Sequence, residues 1–175
     1  MSSIKLDGNT LSSAEISLVA KGAKVEVASD AWIRVESARN VVERILESGE
    51  TVYGINTGFG ALVSESISSN DLSLLQVNLI RSHACGIGEA MSIEDTRAMM
   101  CVRANSLVKG NSGIQRSVIE QIISYLNHDI IPVVPRIGSL GASGDLAPLS
   151  HMGLSLIGEG KVWSNNGPVE TMTLL

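Results

Sequence analysis

Positive charge is in short supply in this chain. Thirteen Lys and Arg stand against 18 Asp and Glu, a formal net charge of -5, and no basic stripe or Arg-rich segment is present to track phosphates, which excludes nucleic-acid binding. Cysteine is equally sparse. Cys85 and Cys101 lie 16 residues apart without His or Cys companions at metal-ligand spacing, so free thiols of a reducing compartment are expected rather than a disulfide or a metal site. No apolar run approaches the length of a membrane span. Met1-Ser2-Ser3-Ile4-Lys5-Leu6-Asp7 lacks the apolar core of a secretion signal, and the cytoplasm is the expected compartment. Nucleotide motifs are also wanting. Gly58-Phe59-Gly60 and Gly86-Ile87-Gly88 lack the third glycine of a dinucleotide fingerprint, and Ser155 stands where a phosphate loop before Gly160-Lys161 needs its first glycine.

What remains is the composition of a globular domain, 44% hydrophobic and 18% charged over 175 residues, enough for one core. The spacing predicts mostly helices. Ser12 and Glu15 match a capping box. Trp32, Val35, Ala38, Val42 and Ile45 mark one face of a longer helix that Gly49 ends. Leu72, Leu75, Leu79 and His83 predict a helix from about Asp71, carrying His83 near the glycine-rich Gly86 and Gly88. Ser92 and Asp95 open a helix toward Lys109, and Ser112 with Gln115 reads as a capping box for another ending about Asn127. Pro132 and Pro135 make an extended lead-in, and Leu146, Leu149, Gly153 and Leu156 predict a helix with Pro148 in its first turn. Small β-ribbons complete the pattern: Lys24-Val25-Glu26-Val27 with Ile4-Lys5-Leu6 in hairpin fashion, and a terminal hairpin around an Asn-Gly turn at Asn165-Asn166-Gly167.

Aromatic residues are scarce, two Trp, two Tyr and one Phe, yet Tyr53 and Phe59 share a short segment with Gly54, Gly58 and Gly60. A helix or central strand is not expected there. Scarce aromatics in a glycine-rich loop suggest a lid or a site, against the plainer reading of a tyrosine that anchors its loop. His83 likewise reads either as a hydrogen-bonded core histidine or as a site residue. His151 either supports the loop that precedes it or belongs to the core; His128 has no ligand partners.

Residues 138–149 carry the most chemistry: Gly138-Ser139-Leu140-Gly141-Ala142-Ser143-Gly144-Asp145-Leu146-Ala147-Pro148-Leu149. The Gly144 amide nitrogen can attack the Ala142 carbonyl carbon, and loss of two waters, one taking the Ser143 hydroxyl, leaves a methylidene-imidazolone ring. Gly144 lacks the Cβ that would resist so tight a closure, Ala142 is small, and Asp145 is placed to assist proton transfer. If a helix starts near Asp145, its partly positive end lies beside that ring. A serine-hydrolase reading of Ser143, Asp145 and His151 fails, because Asp145 replaces the last glycine of a nucleophile elbow and triad members come from separate segments.

This run, with Tyr53-Gly54-Ile55-Asn56-Thr57-Gly58-Phe59-Gly60 and Arg81-Ser82-His83-Ala84-Cys85-Gly86-Ile87-Gly88-Glu89, resembles the aromatic amino acid ammonia-lyase family, and the third motif is most similar to its histidine-specific members. The resemblance implies a mainly α fold, the helical N-terminal domain of the ammonia-lyase fold with small β-ribbons and without the later central helical bundle. It implies a 4-methylidene-imidazol-5-one formed autocatalytically from Ala142-Ser143-Gly144, with Asp145 taking part, and no external cofactor. Tyr53 would be the base that removes the substrate β-proton, His83 would border the substrate side chain, and Asn56 and Gly60 would orient substrate or lid. The substrate amino group would add to the ring and leave as ammonia, converting L-histidine to trans-urocanate. Tyrosine or phenylalanine lyases and aminomutases are the alternatives, since tyrosine-specific relatives can also carry a histidine at the position of His83.

Family members are roughly three times longer than a domain of this size. Residues 1–175 are therefore expected to be one N-terminal domain, a fragment of a longer chain, with a homotetramer expected at full length and negligible lyase activity in isolation. A non-catalytic fragment or assembly domain is the reading of another class.

Overall fold

The computed structural model describes residues 3–57, 67, 69–140 and 144–175. Helix dominates, and its boundaries follow local chemistry. After β1 (Ile4–Leu6), helix α1 (Ser13–Ala20) starts with the expected capping box: Ser12 Oγ accepts from Glu15 N at 3.3 Å, and the Glu15 carboxylate accepts from Ser12 N at 2.8 Å. Two amides that the first turn cannot pair are thereby satisfied. β2 (Val25–Val27) follows, then α2 (Ser29–Ser48), which Gly49 ends in the left-handed conformation at φ 70°.

The expected pairing of β1 with β2 is present but parallel, Ile4 opposite Val25 and Leu6 opposite Val27. The intervening α1 is the reason: a helical crossover returns the chain in the same direction, whereas a hairpin needs a tight turn.

Beyond the Tyr53 segment come α3 (Ser69–His83), β3 (Ile87–Ala90), α4 (Ile93–Val108), α5 (Arg116–Asn127), β4 (Pro135–Ile137), α6 (Leu146–Leu156), β5 (Lys161–Ser164) and β6 (Gly167–Glu170). Ser92 caps α4 by accepting from Asp95 N at 3.0 Å. The second expected capping box does not form: Gln115 is itself the N-cap of α5 and makes no side-chain cap bond. Gly113 diverts the chain first, at φ 64°, pressed so closely on α2 that a Cβ there would lie 2.3 Å from Val42 Cγ2. The terminal hairpin forms one residue earlier than expected. Asn165 and Asn166 make the loop, neither at positive φ, and Gly167, at φ 104°, already pairs with Ser164. The β3–β4 ribbon is antiparallel, with Ile87 opposite Ile137.

The core lies among α1, α2, α4 and α5, where Leu6, Val19, Val25, Val35, Met100, Ile119, Ile122 and Leu126 are buried. Each such side chain contributes about 1.5–3 kcal/mol by leaving water. Arg97 of α4 is buried among them. Its guanidinium donates to Val19 O at 2.8 Å and Leu126 O at 3.1 Å and pairs with Asp129 Oδ1 at 2.6 Å, serving carbonyls at the ends of α1 and α5 that have no helical partner. Cys101 is buried, which pushes its thiol up to about 11, and Cys85 is exposed.

Helices α3 and α6 pack on each other beside this core. A Cβ on Gly153 would stand 3.4 Å from Ile80 Cγ2. The far end of α6 is tied to α5, because Tyr125 Oη donates to Ser155 O at 2.8 Å and Gln121 Nε2 to Leu156 O at 3.0 Å. No described helix is long and apolar enough to cross a membrane.

Candidate active site

His83 is the last residue of α3. Its Nδ1 lies 2.9 Å from Leu79 O and 3.0 Å from Ser82 Oγ; with the proton on Nδ1, directed at the carbonyl, Nε2 is left as an acceptor. Arg81, one helical position earlier than Ser82, grips Glu159 beyond α6, with Nε 3.0 Å from Oε2. That guanidinium holds the Glu159 carboxyl below the usual carboxylate range. The helix end carrying His83 is thus fastened to the segment after α6.

The chain then turns through Cys85 and Gly86 into β3. Gly86 N donates to His151 Nε2 on α6 at 3.0 Å. A Cβ at Gly86 would sit 3.0 Å from that nitrogen and 3.1 Å from Pro135 Cβ. On its other side lies Gly138, at φ 142°, whose own Cβ would stand 2.9 Å from Gly86 Cα. Two of the sequence motifs therefore meet backbone to backbone, at positions where only glycine leaves room.

Ser139 Oγ donates to Asp145 Oδ1. Asp145 takes the left-handed conformation, φ 57° and ψ 39°, immediately after Gly144 at φ 80°. Successive left-handed residues are unusual, and Asp is one of the few non-glycine residues that tolerate this conformation. Helix α6 begins directly afterwards, as expected, with Pro148 in its first turn. Among the described residues, none lies within 4 Å of the position a Cβ on Gly144 would occupy. The positive φ there is one that glycine adopts without cost. Ala142, Ser143 and Gly60 lie outside the described residues.

Tyr53 stands in a turn closed by Ile55 N to Val52 O at 3.1 Å. Asn56, 7% exposed, builds that turn: its Oδ1 accepts from Val52 N at 2.9 Å and its Nδ2 donates to Glu50 O at 2.8 Å. Both ends of the Asn56 amide are committed within its own loop. The Tyr53 side chain is 61% exposed. Gly54, Ile55 and Asn56 wall a cavity of about 1000 Å³ with Leu72, Gln76 and Leu79 of α3.

A second cavity, about 580 Å³, lies beside the signature and is lined by Ser139, Asp145, Pro148 and Leu149 with Met99 and Arg103 of α4. Arg103 borders both cavities, and burial pulls its pKa below the usual arginine range. Sequence reasoning passed over it, as it passed over the Ser139 hydroxyl. An arginine within a helix reads as solvated surface, and Ser139 betrays itself only by standing six positions before Asp145. Among the described residues, no group of three His, Cys, Asp or Glu could hold a metal ion.

A mainly helical domain that presents this glycine-rich run at the head of one helix, and pins the His83 turn against it, has the ammonia-lyase fold. The chain belongs to the aromatic amino acid lyase family, whose profile matches residues 11–175. The histidine ammonia-lyase of Staphylococcus aureus (strain bovine RF122 / ET3-1) is 54% identical over 158 residues, which are 90% of this chain and 31% of that protein. Among solved structures, the tyrosine aminomutase from Streptomyces globisporus is similar with a TM-score of 0.93 at 37% identity, over 99% of this chain and 33% of its own. Histidine ammonia-lyase from Trypanosoma cruzi gives 0.90 at 35% identity, over 99% and 34%. The chain thus spans about a third of the length of the relatives it matches.

Proposed function

We propose that this chain is the ring-forming part of a histidine ammonia-lyase, which eliminates ammonia from L-histidine to give trans-urocanate. The observation that carries the proposal is the meeting of Gly86 with Gly138, which sets the His83 end of α3 beside the segment that leads into Ala142-Ser143-Gly144.

In ring formation the Gly144 nitrogen bonds to the Ala142 carbonyl carbon, whose oxygen departs as water; the Ser143 hydroxyl departs with its α-hydrogen as a second water. Asp145, held by Ser139, is the carboxylate beside this chemistry. Once formed, the ring supplies an electrophile for the substrate amino group.

Tyr53 takes the β-proton at its phenolic oxygen, the step for which an amino acid side chain alone is poorly acidic. His83 Nε2, an acceptor in the tautomer whose Nδ1 donates to Leu79 O, receives an N–H of the substrate imidazole. An apolar ring would leave that nitrogen without a partner, which disfavours phenylalanine. Asn56 holds the loop on which Tyr53 stands, and Gly60 belongs to the same sequence motif. Amino acid binding is completed by the rest of the protein, in a homotetramer, without nucleic acid or membrane and in the cytoplasm.

A tyrosine-directed aminomutase is the second reading, favoured by the TM-score of 0.93 to the Streptomyces globisporus enzyme. The test has two stages. Mass spectrometry of the peptide containing residues 142–144 reads the loss of two waters; an unmodified peptide removes the electrophile and leaves a non-catalytic domain. With the protein at its natural length, L-histidine and L-tyrosine are then supplied separately. Urocanate and ammonia support the first reading, whereas a β-amino acid without free ammonia replaces it with the second.

A further inference from the structure

We propose that His151 is a positioning residue, the acceptor that locks the turn after His83 to the helix that follows the ring-forming tripeptide; the proposal rests on the reading of residues 142–144 given above. His151 stands within α6 and reaches across 65 positions of sequence to the amide of Gly86. Because Nε2 accepts, the proton of the neutral ring sits on Nδ1. Burial pulls the imidazole pKa down and keeps the ring in this neutral form.

The surroundings of Gly86 explain why one bond should matter. Pro135 of β4 lies on one side and Gly138 on another, and Gly138 in turn meets Ala147 of α6, whose Cβ would be 3.3 Å from a Cβ on that glycine. The turn is therefore enclosed by residues that precede the tripeptide in sequence, Pro135 and Gly138, and by residues that follow it, Ala147 and His151. Packing fixes the first side. The hydrogen bond from Gly86 N to His151 fixes the second, and it is directional where packing is not.

Helix α6 starts two residues after Gly144. Whatever anchors α6 to the His83 turn accordingly sets the separation between the tripeptide and the end of α3. A misplacement of about 1 Å in such an arrangement can cost about a hundredfold in rate.

The test compares His151→Leu, which keeps apolar bulk and removes the acceptor, with His151→Gln, whose carbonyl oxygen can accept the same bond. Three readouts are taken on the protein at its natural length: far-UV circular dichroism for the fold, hydrogen exchange of the peptide containing Gly86, and the rate of two-water loss at residues 142–144. We expect His151→Leu to fold, to lose protection at Gly86 and to form the ring at least tenfold more slowly, with His151→Gln restoring both. Ring formation at the parental rate in a folded His151→Leu, or failure of His151→Gln to restore anything while folded, overturns the proposal. Should His151→Leu not fold, His151→Gln decides: protection and ring rate near the parent support an acceptor role, and their loss counts against it. If the parent itself shows no water loss, the ring reading falls separately, and exchange at Gly86 in the two variants settles the anchor alone.

Discussion

Ser139 donates a hydrogen bond to the Asp145 carboxylate, and the residues between this pair include the three expected to cyclise. The bond ties Asp145, whose backbone is left-handed, to the residue six positions before it. Asn tolerates this conformation and Ala does not. We therefore expect Asp145→Asn to keep the fold while slowing two-water loss, and Asp145→Ala to lose about 1–2 kcal/mol of stability as well. Time-resolved mass spectrometry of the 142–144 peptide and urea unfolding separate the two effects.

Gly138 has no room for a side chain. Gly138→Ala must push the Gly86 backbone aside from a contact of 2.9 Å and must adopt φ 142°, so a loss of roughly 1–3 kcal/mol is expected. Gly144→Ala meets no neighbour among the described residues and carries the cost of its positive φ, a smaller loss. Equilibrium denaturation of the two variants checks the order.

Arg97→Met should be among the most damaging changes away from the site. The replacement fills the volume but strands the carbonyl of Leu126, leaves that of Val19 with the Gly22 amide alone, and leaves the exposed Asp129 only Lys24, 4.0 Å away. A loss of about 1–3 kcal/mol is expected. A shift of the urea midpoint by less than a third of that would mean that water or Lys24 takes over these acceptors.

Stability should fall on mild acidification through His151. Burial places its folded pKa below the unfolded value, near 6.5, so the unfolded chain binds more protons. Its contribution is complete above about pH 6.5 and is lost as pH falls from there through the folded pKa. Asp7, Glu15 and Glu159 are also lowered, which confines their effect to more acidic solution. The melting temperature of the parent should therefore drop as pH falls below about 6.5, and His151→Gln should flatten that slope.

Tyr53→Phe tests the base directly. The side chain is largely exposed, so the fold should be unaffected, while kcat for the protein at its natural length should fall by about 10²–10⁴. Unchanged kcat would remove Tyr53 from proton transfer.

Much of the fold was legible because short-range rules carry it. Ser12 with Glu15, Ser92 with Asp95, and Gly49 announced helix ends within three or four residues of the event they control. Failures occurred where a distant contact overruled a local one: Gly113 packed on Val42 displaced the capping box at Ser112, and the α1 crossover made β1 and β2 parallel. The β3 strand was invisible because Ile87-Gly88-Glu89-Ala90 lacks β-branched alternation. Of the site, the linear run 138–149 was readable, but the pairing of Gly86 with His151 and Gly138 joins residues more than 50 positions apart, and nothing in one sequence states which distant glycine meets which.

The crossing of Gly86 and Gly138 also divides what this scaffold can change from what it cannot. With backbone against backbone there is no side chain to exchange, so the crossing gives no handle on which amino acid is accepted. On the proposed reading, discrimination falls to its surroundings, the His83 ring and the cavity walls, while the frame stays constant. Anyone redirecting this protein to another ring would randomise those walls and leave the two glycines alone.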